Sequence, residues 1–177
     1  MDISASIKEV TEGTNLSFDT MSKIMEAMMR GKISEVQIAA FLVAMRMKGE
    51  TTEEIAAAAT IMRDFASSVN IDTYPLVDTC GTGGDGSHTF NISTAAAVVV
   101  AACGGHVAKH GNRAASSSSG SADVLEIAGA KIDLSTKQIA ECINSVGIGF
   151  MFAPSHHGAT RFAGKVRKQI GSRTLFN

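Results

Sequence analysis

The pattern of apolar residues changes near residue 74 of this 177-residue chain, and that change constrains the fold more than any other feature. Residues 1–68 are predicted to form helices only. From residue 74 onward, short apolar segments alternate with helical ones, and glycine-rich stretches separate them. Alternating strands and helices are typical of a parallel α/β sheet. We therefore predict an α/β chain in which a helical N-terminal subdomain, residues 1–70, precedes part of a parallel-sheet domain, residues 71–177.

Capping residues place the predicted helices along the chain. Residues 3–10 form a first amphipathic helix, and a second covers residues 18–30. The second helix has Ser17 as its predicted N-cap, and Gly31 ends it. Capping boxes, in which a Ser or Thr is followed three residues later by Gln or Glu, are predicted at Ser34–Gln37, Thr51–Glu54 and Ser135–Gln138.

Three strands are predicted in the second part of the chain, at residues 74–79, 106–109 and 148–152. Residues 92–103 lie between the first two strands and are apolar on nearly every side. That composition predicts a fully buried helix. Another helix is expected over residues 122–128.

Composition excludes several classes of function. No run of eighteen apolar residues is present, so no transmembrane helix is expected. A net charge of −1 gives no support to a general role on nucleic acid or a membrane surface.

The three cysteines, Cys80, Cys103 and Cys142, show neither disulfide nor zinc spacing. We therefore expect each of them to be a plain small apolar residue of a protein in a reducing cytoplasm. Four methionines between residues 21 and 29 fit either core packing or a subunit contact.

Residues 78–85, Asp-Thr-Cys-Gly-Thr-Gly-Gly-Asp, place three glycines in four positions directly after the first strand. Glycine allows a ligand to approach the backbone closely, and successive N–H groups form an anion-binding concavity. The apolar helix then opens with residues 91–94, Asn-Ile-Ser-Thr, where unpaired N–H groups favour an anion. Together these segments predict a phosphate or pyrophosphate site. The alternative is a tight turn followed by an ordinary N-cap, and the loop matches neither a Walker motif nor a dinucleotide fingerprint.

A second polar cluster, residues 109–117, follows the second strand at the carboxyl end of the sheet, where α/β proteins bind ligands. Its two cations, its amide and its hydroxyls suit a phosphate, whereas the alternative is a solvated surface turn. The serine-rich residues 116–121 are interpreted as a binding loop rather than a linker. A third group comprises residues 152–157 with Arg161 and Arg167, and each of its basic residues alone is typical of a surface.

These clusters, in this order, resemble the anthranilate phosphoribosyltransferase family. The resemblance rests on residues 81–85, 91–94, 109–117 and 152–157 and extends over the whole chain. That family transfers 5-phosphoribose from phosphoribosyl pyrophosphate to the amine of anthranilate, releasing pyrophosphate, in tryptophan biosynthesis. The resemblance implies a cytoplasmic pentosyltransferase with a nucleoside phosphorylase-like fold, Mg²⁺ as cofactor, and homodimers paired through the N-terminal helices. Such chemistry needs held phosphates and an aligned amine, so no catalytic residue with a covalent role is expected.

The resemblance also implies roles for individual residues. The phosphoribosyl pyrophosphate contacts would be Gly81, Gly84, Asp85, Thr89, Asn91, Ile92, Ser93, Thr94, Lys109, His110, Gly111, Asn112, Arg113, Ala114, Ala115, Ser116, Ser117 and Ser121. The anthranilate site would be lined by Gly81, Asn112, His110, His156 and Arg167. Arg167 would pair with the carboxylate of anthranilate, and the Ser93 hydroxyl would contact a magnesium ion.

The chain departs from the family pattern at three positions on the anthranilate side. Gly158 and Lys165 stand where the family usually has Pro, and Thr160 stands where it has Met. The chain also has roughly half of the family's length, and the acidic pair that binds magnesium in the family lies in the other half. We therefore expect an incomplete α/β domain that is inactive by itself.

Two other functions remain as alternatives. A pyrimidine nucleoside phosphorylase would share the fold and a glycine-rich phosphate loop, but residues 109–117 and Asp85 favour the transferase. A non-enzymatic nucleic-acid-binding relative of the fold would need a basic surface, which a net charge of −1 does not favour.

Overall fold

The computed structural model describes residues 2–81, 90–114, 119–158 and 161–176. The chain forms two compact units, one of residues 1–66 with 157–177 and the other of residues 67–156, and each is considered by itself. In chain order the elements are α1 (Ile3–Thr11), α2 (Phe18–Met29), α3 (Glu35–Lys48), α4 (Thr52–Asp64), β1 (Leu76–Val77), α5 (Ile92–Ala102), β2 (His106–Gly111), α6 (Ser121–Ile127), α7 (Thr136–Val146), β3 (Ile148–Phe152), α8 (Ala153–His156) and α9 (Arg161–Ile170).

The helices begin at the caps that the sequence predicts. Ser17 Oγ accepts a hydrogen bond from Thr20 N at 3.2 Å and opens α2. All three predicted capping boxes are present, at the starts of α3, α4 and α7. Helix α7 ends at Gly147, whose φ of 78° is the left-handed conformation that glycine adopts at little cost.

The core of the first unit is rich in methionine. Met21, Met25, Met28 and Met29 of α2 are all buried, which confirms core packing as the role of this cluster. They pack with Phe41 and other apolar residues of α3. Helix α9 also lies against α2 and α3, so residues from the end of the chain join the helical unit. The boundary at residue 70 remains a prediction.

A buried ion pair connects three segments of this unit. Lys48 Nζ at the end of α3 donates to Glu54 Oε2 in the first turn of α4 at 2.9 Å, and both side chains are almost fully buried. Glu54 Oε1 accepts from Leu16 N at 2.8 Å, while Oε2 also accepts from Thr51 N at 2.8 Å. Burial alone would raise the pKa of Glu54, but the hydrogen bonds from Thr51, Leu16 and Lys48 outweigh it and lower the pKa.

The second unit contains a three-stranded parallel sheet in the order β1-β2-β3, as the sequence predicts. Val107 of β2 pairs with Val77 of β1 on one side and with Ile148 of β3 on the other. Ile139 and Ile143 of α7 pack against Ala108 and close the core of this unit. Because the strands are parallel, β1 and β2 end at the same edge of the sheet. None of the described helices is long and apolar enough to cross a membrane.

The expectation of a fully buried helix α5 is wrong. Only Thr94 and Ala97 are buried, whereas Ile92, Val98 and Val99 are more than half exposed. The helix packs one face against β2 and β3, and its other apolar face is not covered by the described part of the chain. An apolar sequence therefore shows that a helix can be buried on all sides, not that enough neighbouring structure is present to bury it.

Candidate phosphate-binding site

The polar residues that follow β1 and β2 meet at the carboxyl edge of the sheet. Asp78 comes directly after β1, and its Oδ1 accepts from Cys80 N at 2.9 Å and from His110 N of β2 at 3.2 Å. One carboxylate thus holds the start of the glycine-rich loop against the neighbouring strand. This contact places the start of the first predicted cluster beside the start of the second.

The helix start joins the same edge through Lys109. Lys109 Nζ, near the end of β2, donates to Ser93 Oγ at 3.3 Å in the first turn of α5. The Thr79 hydroxyl donates to the Ser93 carbonyl oxygen at 2.8 Å, which connects the β1 loop to the same helical turn. The end of β1, the start of α5 and the end of β2 therefore form one hydrogen-bonded corner.

Lys109 is a cation held out of water. Its side chain is only 1% exposed, and the structure gives it no salt bridge to any described carboxylate. Desolvation by burial lowers the pKa of Lys109, and the nearby Cys80 and Asp78 only partly oppose that effect. A buried ammonium group is costly unless an anion compensates for it. The corner is consequently suited to a negatively charged ligand.

Thr94 adds a second unsatisfied group beside this corner. Thr94 is 5% exposed, and its hydroxyl has no hydrogen-bond partner among the described residues. Buried hydroxyls normally have a partner. A bound polar ligand is one way to supply it. Asn91, the N-cap residue of α5, instead directs its side-chain amide to Ser119 Oγ at 3.4 Å.

Cys80 and His110 form a contact at the same edge, with Sγ 3.7 Å from Nδ1. Partial desolvation raises the pKa of the Cys80 thiol, as does Asp78, while Lys109 opposes the rise. Burial lowers the pKa of His110, and the neighbouring His156 and Lys109 add to that effect while Asp78 opposes it. Both directions favour the uncharged form of the group, the thiol at Cys80 and the neutral imidazole at His110.

Arg113, the second cation of the cluster, is already compensated. Arg113 Nη2 donates to Glu126 Oε1 at 2.8 Å, and Nη1 donates to the other oxygen of the same carboxylate. Nη1 also lies 3.4 Å from Asp123 Oδ1. The hydrogen bond to Glu126 chiefly raises the pKa of Arg113. The two cations that look equivalent in sequence therefore differ in charge environment.

Asp123, near the start of α6, accepts hydrogen bonds from two backbone N–H groups. Its Oδ2 accepts from Ala114 N at 3.0 Å and from Gly120 N at 2.7 Å. Gly120 lies so close to Asn112 and Arg113 that a Cβ at this position would lie 2.7 Å from the Asn112 carbonyl oxygen. Gly111 and Ser121 also approach closely, since a Cβ on Gly111 would lie 3.0 Å from Ser121 Cβ.

Several predicted contacts are not described by the structure or lie elsewhere. Six predicted contacts and one position of departure from the family pattern lie outside the described residues: Gly84, Asp85, Thr89, Ala115, Ser116, Ser117 and Thr160. Arg167 belongs to the helical unit, where its guanidinium stacks on Phe176 with 5.6 Å to the ring centroid. Arg167 Nε is buried without a hydrogen-bond partner among the described residues, and burial lowers the pKa of Arg167. His156 is buried in the sheet unit and its Nδ1 lies 3.1 Å from the Ser67 carbonyl oxygen.

A magnesium site is represented by Ser93 alone among the described residues. No group of three or more His, Cys, Asp or Glu side chains in the described ranges could hold a metal ion. The Ser93 hydroxyl oxygen is a hard donor of the kind that Mg²⁺ accepts. It therefore fits as one ligand of an ion that draws its other ligands from elsewhere, such as phosphate oxygens.

Sequence reasoning did not single out Asp78, Asp123 and Glu126 as individual site residues. Asp78 had a signal, since an acidic residue directly after a strand can cap the turn that follows. Asp123 stands at the third position of α6 and accepts from Gly120 N, which is the pairing of a capping box. Glu126 lies thirteen residues from Arg113, and no local spacing rule connects them.

Two family models match this combination of a helical unit and a parallel α/β sheet. A family model for the helical bundle domain of the glycosyl transferase family matches residues 4–66, and a model for the a/b domain of that family matches residues 73–177. The chain therefore belongs to this glycosyl transferase family.

Within that family, the similar proteins found are anthranilate phosphoribosyltransferases. Those of Cellvibrio japonicus and Alkalilimnicola ehrlichii are 55% and 56% identical over all 177 residues, and the chain spans 52% of the length of each. Among solved structures, the Thermus thermophilus enzyme matches with a TM-score of 0.87 at 44% identity over 99% of this chain and 53% of its own. The Saccharomyces cerevisiae enzyme, in complex with PRPP and Mg, matches with a TM-score of 0.85 at 26% identity over 97% of this chain and 53% of its own.

Proposed function

We propose that this chain provides the phosphate-binding half of an anthranilate phosphoribosyltransferase. The reaction would move 5-phosphoribose from phosphoribosyl pyrophosphate to the amine of anthranilate in tryptophan biosynthesis. The observation that carries this proposal is the hydrogen bond from buried Lys109 to Ser93 at the start of α5. It combines a buried cation that has no salt bridge to a described carboxylate with a helix N-terminus, and both favour a phosphate or pyrophosphate.

The described residues would contribute to the reaction by holding the phosphates and neutralising their charge. Lys109 would neutralise phosphate oxygens, and the hydroxyls of Ser93 and Thr94 would hydrogen-bond to them. Positioning and charge stabilisation are sufficient for a reaction whose leaving group is pyrophosphate.

Mg²⁺ would add positive charge at the leaving pyrophosphate. The yeast relative was solved with PRPP and Mg, and the Ser93 hydroxyl offers this chain one suitable oxygen. Lys109 donates to one lone pair of Ser93 Oγ, so the other lone pair is the one that would be available to the ion. We propose that ion and substrate bind together, because one hydroxyl alone is too few ligands for Mg²⁺.

In the helical unit, Arg167 would pair with the carboxylate of anthranilate. Its Nε atom is buried and has no hydrogen-bond partner among the described residues, which suits an incoming carboxylate. In the sheet unit, His110 and His156 would contact the aromatic acceptor. We also propose that the enzyme works in the cytoplasm.

Pairing of two copies would use the outer face of α3. Val36 and Met47 are 80% and 83% exposed, and Ala40 and Val43 lie between them on the same helical face. An apolar stripe at this spacing on the outside of a helix favours a helix–helix contact. A homodimer through the N-terminal helices is therefore part of the proposal.

The function is tested by titrating the chain with phosphoribosyl pyrophosphate and Mg²⁺ in a calorimeter, followed by an assay for pyrophosphate release with anthranilate. We expect saturable binding that requires Mg²⁺ and little or no turnover by this chain alone. The same titration with thymidine and phosphate distinguishes the alternative function, a nucleoside phosphorylase. The relatives do not favour that alternative. Binding of thymidine without binding of phosphoribosyl pyrophosphate would contradict the proposal.

A further inference from the structure

Strand β2 continues beyond the point at which its pairing with β1 ends. The register between the two strands stops at Val77 and Val107, whereas β2 runs on to Gly111 and stays paired with β3 over that further length. On the β1 side, the stretch of β2 that carries Lys109 has no strand beside it among the described residues. The backbone N–H groups that face this side need other hydrogen-bond partners.

A side chain takes the place of the missing strand. Asp78 directly follows β1, and its Oδ1 accepts a hydrogen bond from His110 N at 3.2 Å. The N–H groups along a strand point to its two sides in alternation, and Val107 N donates to the Gly147 carbonyl oxygen on the β3 side at 2.8 Å. His110 is three positions further on, so its N–H faces the β1 side. The carboxylate of Asp78 thus adds one hydrogen bond to the ladder between β1 and β2.

We propose that Asp78 is a positioning residue, which fixes the end of β2 against the end of β1 and thereby holds Lys109 beside Ser93. The identity of the ligand rests on the proposed function, whereas the hydrogen bonds of Asp78 do not depend on it. Asp78 Oδ1 also accepts from Cys80 N at 2.9 Å, so a turn at the end of β1 holds the carboxylate in place. Lys109 directly precedes His110, and its Nζ donates to Ser93 Oγ at 3.3 Å. A displacement of the His110 backbone would therefore move the ammonium group relative to the start of α5.

The charge of Asp78 suggests a different role, that of a counter-ion for Lys109. Desolvation by burial lowers the pKa of Lys109, and Cys80 and Asp78 oppose that effect only in part. The hydrogen bonds of Asp78 go to two backbone N–H groups and not to the ammonium, and both of them end on Oδ1. The two roles are separable, because the hydrogen bonds need one oxygen atom whereas a counter-ion needs the charge.

The substitutions Asp78→Asn and Asp78→Ala distinguish these roles. Asparagine keeps one side-chain oxygen for both N–H groups and loses the charge, whereas alanine loses the oxygen as well. We expect Asp78→Ala to weaken binding of Mg²⁺–phosphoribosyl pyrophosphate in a calorimeter at least about tenfold, because small displacements of a binding group are costly. Asp78→Asn should change the affinity by less than about threefold, because its neutral oxygen can still accept both hydrogen bonds. Equal losses in the two variants would overturn the proposal.

Asp72→Ala is the matched control for the loss of one negative charge. Asp72 is, like Asp78, an exposed acidic residue near β1, on the other side of that strand. The control should bind Mg²⁺–phosphoribosyl pyrophosphate as tightly as the unmodified chain. If Asp72→Ala weakens binding as much as Asp78→Ala does, the position of Asp78 is not the cause and the proposal is wrong.

Amide hydrogen exchange tests the hydrogen bond of Asp78 without any ligand. Exchange of the His110 amide, measured by NMR, should be at least about tenfold faster in Asp78→Ala than in the unmodified chain, because exchange requires the hydrogen bond to open. The Val107 amide is the internal reference, since it donates to Gly147 and not to Asp78, and its exchange rate should not change. Equal acceleration at both amides would show a general loss of stability and refute the positioning role. Unchanged exchange at His110 would refute it as well.

The two measurements keep this inference distinct from the proposed function. If the unmodified chain fails to bind phosphoribosyl pyrophosphate while exchange at His110 alone accelerates in Asp78→Ala, the proposed function fails and the connection of β2 to β1 by Asp78 is supported. If the unmodified chain binds the substrate and Asp78→Ala binds it equally tightly, the proposed function holds and the positioning of Lys109 by Asp78 is wrong.

Discussion

We expect Lys109 to contribute more to the affinity for ligand than to the free energy of unfolding. Replacing it with methionine tests the two contributions separately. Methionine has nearly the same length and volume, so it can fill the space of the buried side chain without a cavity. The substitution removes a buried ammonium that has no salt bridge to a described carboxylate and that Asp78 offsets only in part. It also removes one hydrogen bond, from Nζ to Ser93 Oγ at 3.3 Å.

The magnitudes decide the expected result. The lost hydrogen bond and imperfect packing each cost about 1 kcal/mol, and removing the desolvation cost of a buried charge offsets part or all of that. We therefore expect the free energy of unfolding at pH 7 to change by less than about 1.5 kcal/mol. A hydrogen bond between a cation and a phosphate is worth about 1.5–3 kcal/mol, which corresponds to roughly ten- to hundredfold in affinity.

Two measurements on the same samples check this prediction. Urea unfolding followed by circular dichroism gives the free energy of unfolding, and calorimetric titration with Mg²⁺–phosphoribosyl pyrophosphate or pyrophosphate gives the affinity. Lys137→Met is the control, because the Lys137 side chain is 87% exposed and its ion pair with Glu141 is 3.9 Å long. The control should change neither quantity appreciably. A Lys109→Met chain that binds as tightly as the unmodified chain would refute the reasoning, as would one that fails to fold.

Other predictions concern the scaffold. Glu54→Gln should lower the free energy of unfolding at pH 7 by about 3–5 kcal/mol, because the buried ammonium of Lys48 loses its charged partner and keeps only the neutral acceptors Asn15 Oδ1 and Gly49 O. By contrast, Asp19→Asn in the exposed 2.6 Å pair with Lys23 should cost at most about 0.5 kcal/mol. Folding lowers the pKa of Glu54, so its contribution to the free energy of unfolding is present above the unfolded value of 4.5. That contribution is lost as the pH falls toward the folded value. The free energy of unfolding of Glu54→Gln should therefore lack this acid dependence. Ser135→Ala removes the cap of α7 and should cost about 1 kcal/mol in urea unfolding, and Lys137→Met, an exposed substitution in the first turn of the same helix, serves as its control. Gly149→Ala places a methyl group 2.9 Å from the Ile139 carbonyl oxygen and should cost about 1–3 kcal/mol, and an unchanged unfolding midpoint would show that α7 can move.

Local chemistry explains what could be predicted from sequence. Capping boxes are local, and each was placed at the correct residue because the Ser or Thr and its partner are three positions apart. The parallel sheet was predictable because strands alternate with helices. The first strand was predicted over residues 74–79 but pairs only at Leu76–Val77. Strand length depends on the neighbouring strand and not on propensity alone.

Long-range contacts explain what could not be predicted. The exposure of Val98 and Val99 on α5 depends on which elements cover the helix, and no spacing within the helix encodes that. The packing of α9 on α2 and α3 is a contact between opposite ends of the chain. The Lys109–Ser93 pair joins residues sixteen positions apart, so the sequence supplied both residues as candidates but not their hydrogen bond.

The contrast between Lys109 and Arg113 shows how charge is divided within the site. Counting residues gives two cations for the phosphates, and both are part of the same short motif. Arg113 is half exposed and bonded to the two oxygens of Glu126, whereas Lys109 is buried and bonded to a neutral hydroxyl. A cation already matched by carboxylates gains less from an added anion than one that is buried and unmatched. We therefore expect the attraction for phosphate to be concentrated at Lys109 rather than at Arg113, which Asp123 and Glu126 already compensate.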